Sequence, residues 1–172
     1  MENEYLSLEG VRKILHISKR KCAWMLQNGV IPCEISGKKT RCYKVLRKDV
    51  EQYIIMCRQN PEANLLPKIF TSTQGNVAHY ARIKTAPDGF REWLKDLWRN
   101  EKNALNVVDI EMLTGYSQTT IARWCQHGTL RHVTVRGDVI IARTWLIDFM
   151  CGYGWRIVKK SERHLAIMGK YF

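Results

Sequence analysis

Ser18-Lys19-Arg20-Lys21 sets three cations directly behind a residue type that starts helices. A serine in that place accepts a hydrogen bond from an orphan amide of the first turn. Cations are out of place there, because a helix dipole is positive at its N-terminus. Three of them cost stability, which an anionic partner recovers. The chemistry open to these side chains is phosphate binding and, for arginine, a paired hydrogen bond to O6 and N7 of guanine. Arg20 is therefore the expected base reader. Ser117-Gln118-Thr119-Thr120 offers a neutral version of the same tip, in which glutamine suits adenine and the threonine methyls suit thymine.

Both tips sit in the same frame. Behind the first, Cys22, Met25 and Leu26 form an apolar stripe at i, i+3, i+4, and Gly29 stops the helix. Ile121, Trp124 and Cys125, then Gly128, do so in the second. Ser18/Ser117, Ala23/Ala122, Gln27/Gln126 and Gly29/Gly128 are identical at one offset, 117 − 18 = 99. The correspondence runs without a gap from Leu6/Leu105 to Ile31/Leu130, which marks an internal repeat. Each copy opens with a shorter helix. Ser7 caps Leu8–Leu15, whose inner face is Leu8, Val11, Ile14 and Leu15; Asn106 caps its counterpart, with Val107, Ile110 and Leu113 inward. His16-Ile17 and Gly115-Tyr116 are the turns between helices. A second helix that aims its first turn at the major groove is the reading device of a helix-turn-helix.

Past Gly29, Cys33 to Ile35 and Arg41 to Val45 read as strands around the polar loop Ser36–Thr40. This wing carries Lys38 and Lys39 at its tip, with Arg41 beside them. A third helix opens at Arg47-Lys48-Asp49 and buries Val50, Tyr53, Ile54 and Cys57. The second wing is shorter: Val133 to Val135, Arg136-Gly137-Asp138, then Val139 to Ala142, followed by a closing helix on Trp145, Leu146, Phe149 and Met150. Lys38, Lys39, Arg41, Arg123, Arg131 and Arg136 are the expected phosphate or minor-groove contacts, which position without specifying. For any one of them taken singly, a solvated surface charge is the plainer alternative.

The order of these pieces resembles the excisionase-like branch of the MerR-type winged helix-turn-helix family. The residues that carry the resemblance are Tyr5-Leu-Ser-Leu-Glu9, Ile17-Ser-Lys-Arg20, Asn28-Gly-Val-Ile-Pro32 and Tyr43-Lys-Val-Leu-Arg-Lys-Asp-Val50 with Tyr53-Ile54. It covers about residues 5–56, and Trp24 departs from it, since members carry a polar or basic residue there. The resemblance implies a basic wing and a DNA-binding role. It makes a site-specific recombinase a candidate partner, because excisionases work beside one.

Residues 60–104 form a connector between the copies. Phe90, Trp93, Leu94, Leu97 and Trp98 predict an amphipathic helix over 88–100. Its aromatic face reads as core rather than a base-stacking platform, docked on one of the repeats. The expected domains are 1–59, 60–104 and 105–172, the last including a tail from Gly152 that reads as a strand, a short helix or a basic arm. The expected fold class is mainly α with small β-hairpin wings: two tandem winged helix-turn-helix domains joined by that connector.

The totals agree with this reading. A chain of 172 residues holds one ordinary domain or two small ones, and its net charge is +12. Nine Lys or Arg lie between Lys19 and Lys48, against the single acid Glu34. Such a cluster over one unit favours a nucleic-acid partner over a merely soluble surface. The six cysteines form no C-x-x-C pair, and Cys125-x-His127 with His132 matches no common zinc spacing. They read as reduced and structural, with no metal or cofactor expected. The acidic, polar start and the lack of a spanning apolar run point away from the membrane, to a cytoplasmic, nucleoid-associated protein. His79-Tyr-Ala-Arg82 with Tyr171 brings a recombinase to mind, but the chain is too short for that catalytic domain besides two winged repeats, so no catalysis is expected. Three roles remain: a recombination directionality factor that bends DNA, a MerR-type transcription regulator, and a protein-docking module with only one DNA-binding repeat. In the first two, double-stranded DNA is held by a monomer acting as a pseudo-dimer, or by a cooperative assembly on the duplex.

Overall fold

The computed structural model of the chain describes residues 4–36, 42–64 and 86–172. They are mainly helical, with small antiparallel sheets. The contacts divide the chain into two compact units, Met1–Gln59 with Thr134–Asp138, and Asn60–Val133 with Val139–Phe172.

The first repeat runs β1 (Tyr5–Leu6), α1 (Leu8–Leu15), α2 (Lys19–Gln27), β2 (Glu34–Ile35), β3 (Tyr43–Leu46) and α3 (Arg47–Gln59). The Ser7 hydroxyl accepts from the Gly10 amide and the Ser18 hydroxyl from the Lys21 amide, as the caps predict. Val11, Leu15, Cys22, Met25 and Leu26 are buried between the two helices, and Val50, Tyr53, Ile54 and Cys57 close the core from α3. β2 begins one residue later than expected, β3 runs one residue further, to Leu46, and the sheet has a third strand. β1 pairs with β3, Tyr5 opposite Leu46 and Leu6 opposite Val45, giving the order β1-β3-β2. Residues 37–41 of the expected wing, with Lys38, Lys39 and Arg41, lie outside the described residues, as do His79 and Arg82.

The second repeat follows the same course: β4 (Ala104–Leu105), α5 (Val107–Thr114), α6 (Gln118–Gln126), β5 (Val133–Val135), β6 (Asp138–Ala142) and α7 (Arg143–Phe149). Its sheet order, β4-β6-β5, copies the first. Asn106 and Asp109 bond each other's backbone amides across the start of α5, a reciprocal cap. Tyr116, in the place of Ile17, is buried against Trp124, with ring centroids 4.8 Å apart.

One backbone position separates the copies. The residue after the first helix is left-handed in both, His16 at φ 54° and Gly115 at φ 73°. Only glycine adopts that region without steric cost. His16→Gly is therefore expected to raise the stability against urea by ~1 kcal/mol. Gly115→Ala lowers it, because a Cβ there would also lie 2.8 Å from the Cβ of Arg163.

Between the repeats, the connector helix α4 spans Phe90–Leu97, shorter than the expected 88–100: it starts after Gly89, left-handed at φ 87°, and gives way to a turn after Leu97. Phe90, Leu94 and Trp98 are buried, but Leu97 is 41% exposed and is not part of the buried face. The helix docks on α7 of the second repeat. There the Arg143 guanidinium donates to the carbonyls of Trp98, Arg99 and Glu101 at 2.8, 2.9 and 2.7 Å, satisfying acceptors that the end of α4 leaves open. The tail is helical. α7 continues through a π turn, Met150–Gly154, and a last helix α8 covers Glu162–Tyr171. Phe90 meets Trp155 and Tyr171 edge-on, at 5.0 and 5.1 Å. No helix among the described residues is long and apolar enough to cross a membrane.

Candidate nucleic-acid interface

The first turn of α2 stands out from the first repeat. Ser18, Lys19 and Arg20 are exposed, while the stripe behind them holds the helix on α1. Among the described residues neither Lys19 nor Arg20 forms an ion pair. Lys21 is different from the sequence expectation of a third open cation. It is half-buried, and burial holds its ammonium below the usual lysine value. Lys19 and Arg20 are thus the two fully exposed cations of the tip. Arg12, one helix back, bonds the Glu9 carboxylate at 2.5 and 3.0 Å; this bond, before all else, lowers the Glu9 pKa.

The tip of α6 has the same cap, with the Ser117 hydroxyl accepting from the Thr120 amide. Gln118 and Thr119 are exposed. Thr120 is half-buried, its hydroxyl 3.0 Å from that of Ser117. Gln118 is not the open amide that the sequence suggests: its NH2 donates to the Glu111 carboxylate at 2.7 Å. The fixed offset held the signal for this, since Glu111 stands where Arg12 stands in the first copy. The outer positions of α5 changed in the same way. Glu9 and Lys13 correspond to Val108 and Met112, which are 48% and 63% exposed.

Of the expected phosphate contacts, Arg123 is exposed on α6, and Arg136 is exposed at the β5–β6 turn with φ 54°. Arg131 is exposed but not a free arm, because its guanidinium lies over the Trp145 ring, 4.4 Å from the centroid. Stacking of this kind fixes the plane of the fork while its edge stays open to an anion.

Cys22, Cys57 and Cys125 are buried. Burial pushes Cys22 up to about 11 and Cys125 up to about 12, so both are protonated thiols within the core. Cys125, His127 and His132 do not come together, and among the described residues no three such side chains are placed to hold a metal ion.

The second repeat holds a buried polar pair that composition could not announce. His164 on α8 is fully buried, with Nδ1 2.7 Å from the Tyr116 hydroxyl and, among the described residues, no hydrogen-bond partner for Nε2. Desolvation, helped by Lys160, lowers its pKa to about 4. An unfolded histidine titrates near 6.5, so between pH 6.5 and 4 the unfolded chain binds a proton that the folded chain refuses. Stability from this group is thus complete above pH 6.5 and is lost as the pH falls toward 4. In urea unfolding from pH 7 to 4, His164→Asn is expected to remove on the order of 2 kcal/mol of that acid-side loss of stability. An unchanged slope would mean that His164 is charged in the fold.

Comparison with protein-family models, with curated proteins and with solved structures finds no match to the chain.

Proposed function

We propose that the chain binds double-stranded DNA through two tandem winged helix-turn-helix repeats, with α2 and α6 as recognition helices. One observation carries the reading: a capped helix of the first repeat presents Lys19 and Arg20 to solvent against its own dipole. Arg20 reads a guanine, and Lys19 holds the backbone. The second repeat reads with Thr119 and with Gln118 once DNA displaces its bond to Glu111, so the two half-sites differ in sequence. Joined in one chain, the repeats bind as a covalent pseudo-dimer at high effective concentration.

The role that fits best is a recombination directionality factor, which bends DNA at the end of a mobile element beside a site-specific recombinase. Its support is the resemblance of residues 5–56 to excisionase-like proteins. Transcription control of the MerR type is the alternative. Footprinting on the DNA flanking the chain's own gene locates the site. Excision and promoter assays on that DNA then separate the roles, and loss of excision without any change in promoter output supports the first.

A specific observation favours a second reading for the second repeat alone. The Glu111–Gln118 bond and the exposed Val108 and Met112 suit a protein partner better than a phosphate. Isolated binding of each half-site by footprinting decides between them: protection of one half-site only supports docking.

A further inference from the structure

Among the described residues, the second repeat has an element with no counterpart in the first. Helix α8 crosses the turn between α5 and α6, and three contacts fix it there. The Ser161 hydroxyl donates to the Thr114 carbonyl while accepting from the His164 amide, which also caps α8. Tyr116 and His164 form the buried pair. The Cβ of Arg163 lies over Gly115, so close that a Cβ on that glycine would be 2.8 Å away. Gly115 is two residues from Ser117, the cap of α6, so the Arg163 Cβ starts two residues from that tip.

Arg163 is exposed, and among the described residues no carboxylate pairs with it. From Arg156 to Arg163 the chain carries Arg156, Lys159, Lys160 and Arg163 against one acid, Glu162. Lys160 is tied to the Ile157 carbonyl at 2.6 Å, and Lys159 is exposed. The counterpart tip of α2 carries its cations on its own first turn; the α6 tip has none at Gln118, Thr119 or Thr120.

We propose that α8 delivers Arg163 as a DNA-backbone contact beside the tip of α6, replacing through space the charge which that tip lacks in sequence. The inference rests on the DNA-binding reading above. It divides labour in the second repeat: neutral side chains on α6 face the bases, and a cation from a separate helix holds the flanking phosphate. Gly115 and the Tyr116–His164 pair then act as positioning residues, since they set where α8 begins.

The test uses the full chain and a fluorescein-labelled duplex of mixed sequence, with anisotropy followed across a salt series. Arg163→Ala is expected to weaken binding about fivefold at low salt and to flatten the slope of log K against log salt by about 0.9, one phosphate contact. Arg163→Lys restores both. Thermal unfolding of Arg163→Ala matches the parent, because the side chain is exposed. The paired change Lys19→Ala with Arg20→Ala serves as the reference. If that pair weakens binding and Arg163→Ala does not, the contact from α8 is overturned and the DNA-binding reading stands. If neither change weakens binding, both are overturned. A loss that lysine fails to restore also overturns the inference, since charge is then not its source.

Discussion

Replacing Lys19 and Arg20 together with alanine is expected to lower affinity for double-stranded DNA by about two orders of magnitude near 0.1 M salt, while leaving the protein slightly more stable. The loss combines an arginine–guanine pair, worth ~1–3 kcal/mol, with a phosphate contact that also sets the salt slope. The gain in stability, ~0.5 kcal/mol, comes from removing positive charge from the positive end of α2. Opposite signs in the two readouts are the mark of residues kept for a partner and not for the fold. Anisotropy titration and urea unfolding of the same preparation measure both. A variant that binds like the parent would show that the α2 tip is ordinary surface, and one that loses binding by unfolding would show that the tip serves the fold.

The largest effect on stability is expected at Trp124. Its ring lies 4.7 Å from Phe149, 4.8 Å from Tyr116 and 6.4 Å from Tyr153, centroid to centroid. Trp124→Ala removes the central member of this cluster and leaves a cavity that its rigid neighbours cannot close, a cost of ~3–5 kcal/mol. That is a large share of the total stability of a small protein. Urea unfolding followed by circular dichroism reads it without relying on the lost fluorophore. A cost under ~1 kcal/mol would mean that the stripe on α6 is not what holds the helix in place. DNA binding by this variant should fall in step with its unfolded fraction, in contrast to the Lys19/Arg20 pair.

The repeated frame was legible because it is written in short-range signals. Caps at Ser7, Ser18, Asn106 and Ser117, and stripes such as Cys22-Met25-Leu26, depend only on neighbours within one or two turns. A fixed offset of 99 then vouched for each copy by the other, and β1 with β4, α1 with α5, and α2 with α6 keep it to the residue. What escaped depends on distant partners. Strands β1 and β4 have two residues each, too few for an alternating pattern, and exist because β3 and β6 pair with them. The tail reads equally as strand, helix or arm in the sequence because α8 is held by Tyr116, Ser161 and His164, through contacts 47 or 48 residues apart. Leu97 fits the helical period yet faces out, since periodicity marks a face but not how far its cover extends.

Among the candidate site residues, the exposed tip of α2 needed only the cap and the charges, so Ser18, Lys19 and Arg20 were readable directly. Lys21 and Gln118 were not. The burial of the first and the bond of the second to Glu111 are set by side chains from other turns of the structure. Charge inversion at the repeat offset, Arg12 against Glu111, was the available clue for Gln118. Arg131 shows the same limit, because its stacking on Trp145 joins a loop to the closing helix α7.

The most direct measurement is an amide NMR titration of the full chain with a short duplex of mixed sequence at low salt. The account predicts that the backbone signals of Ser18 to Cys22 shift first and furthest in the first repeat, with those of Ser117 to Thr120 following. Shifts confined to other surfaces, or none while the duplex is bound, would contradict it.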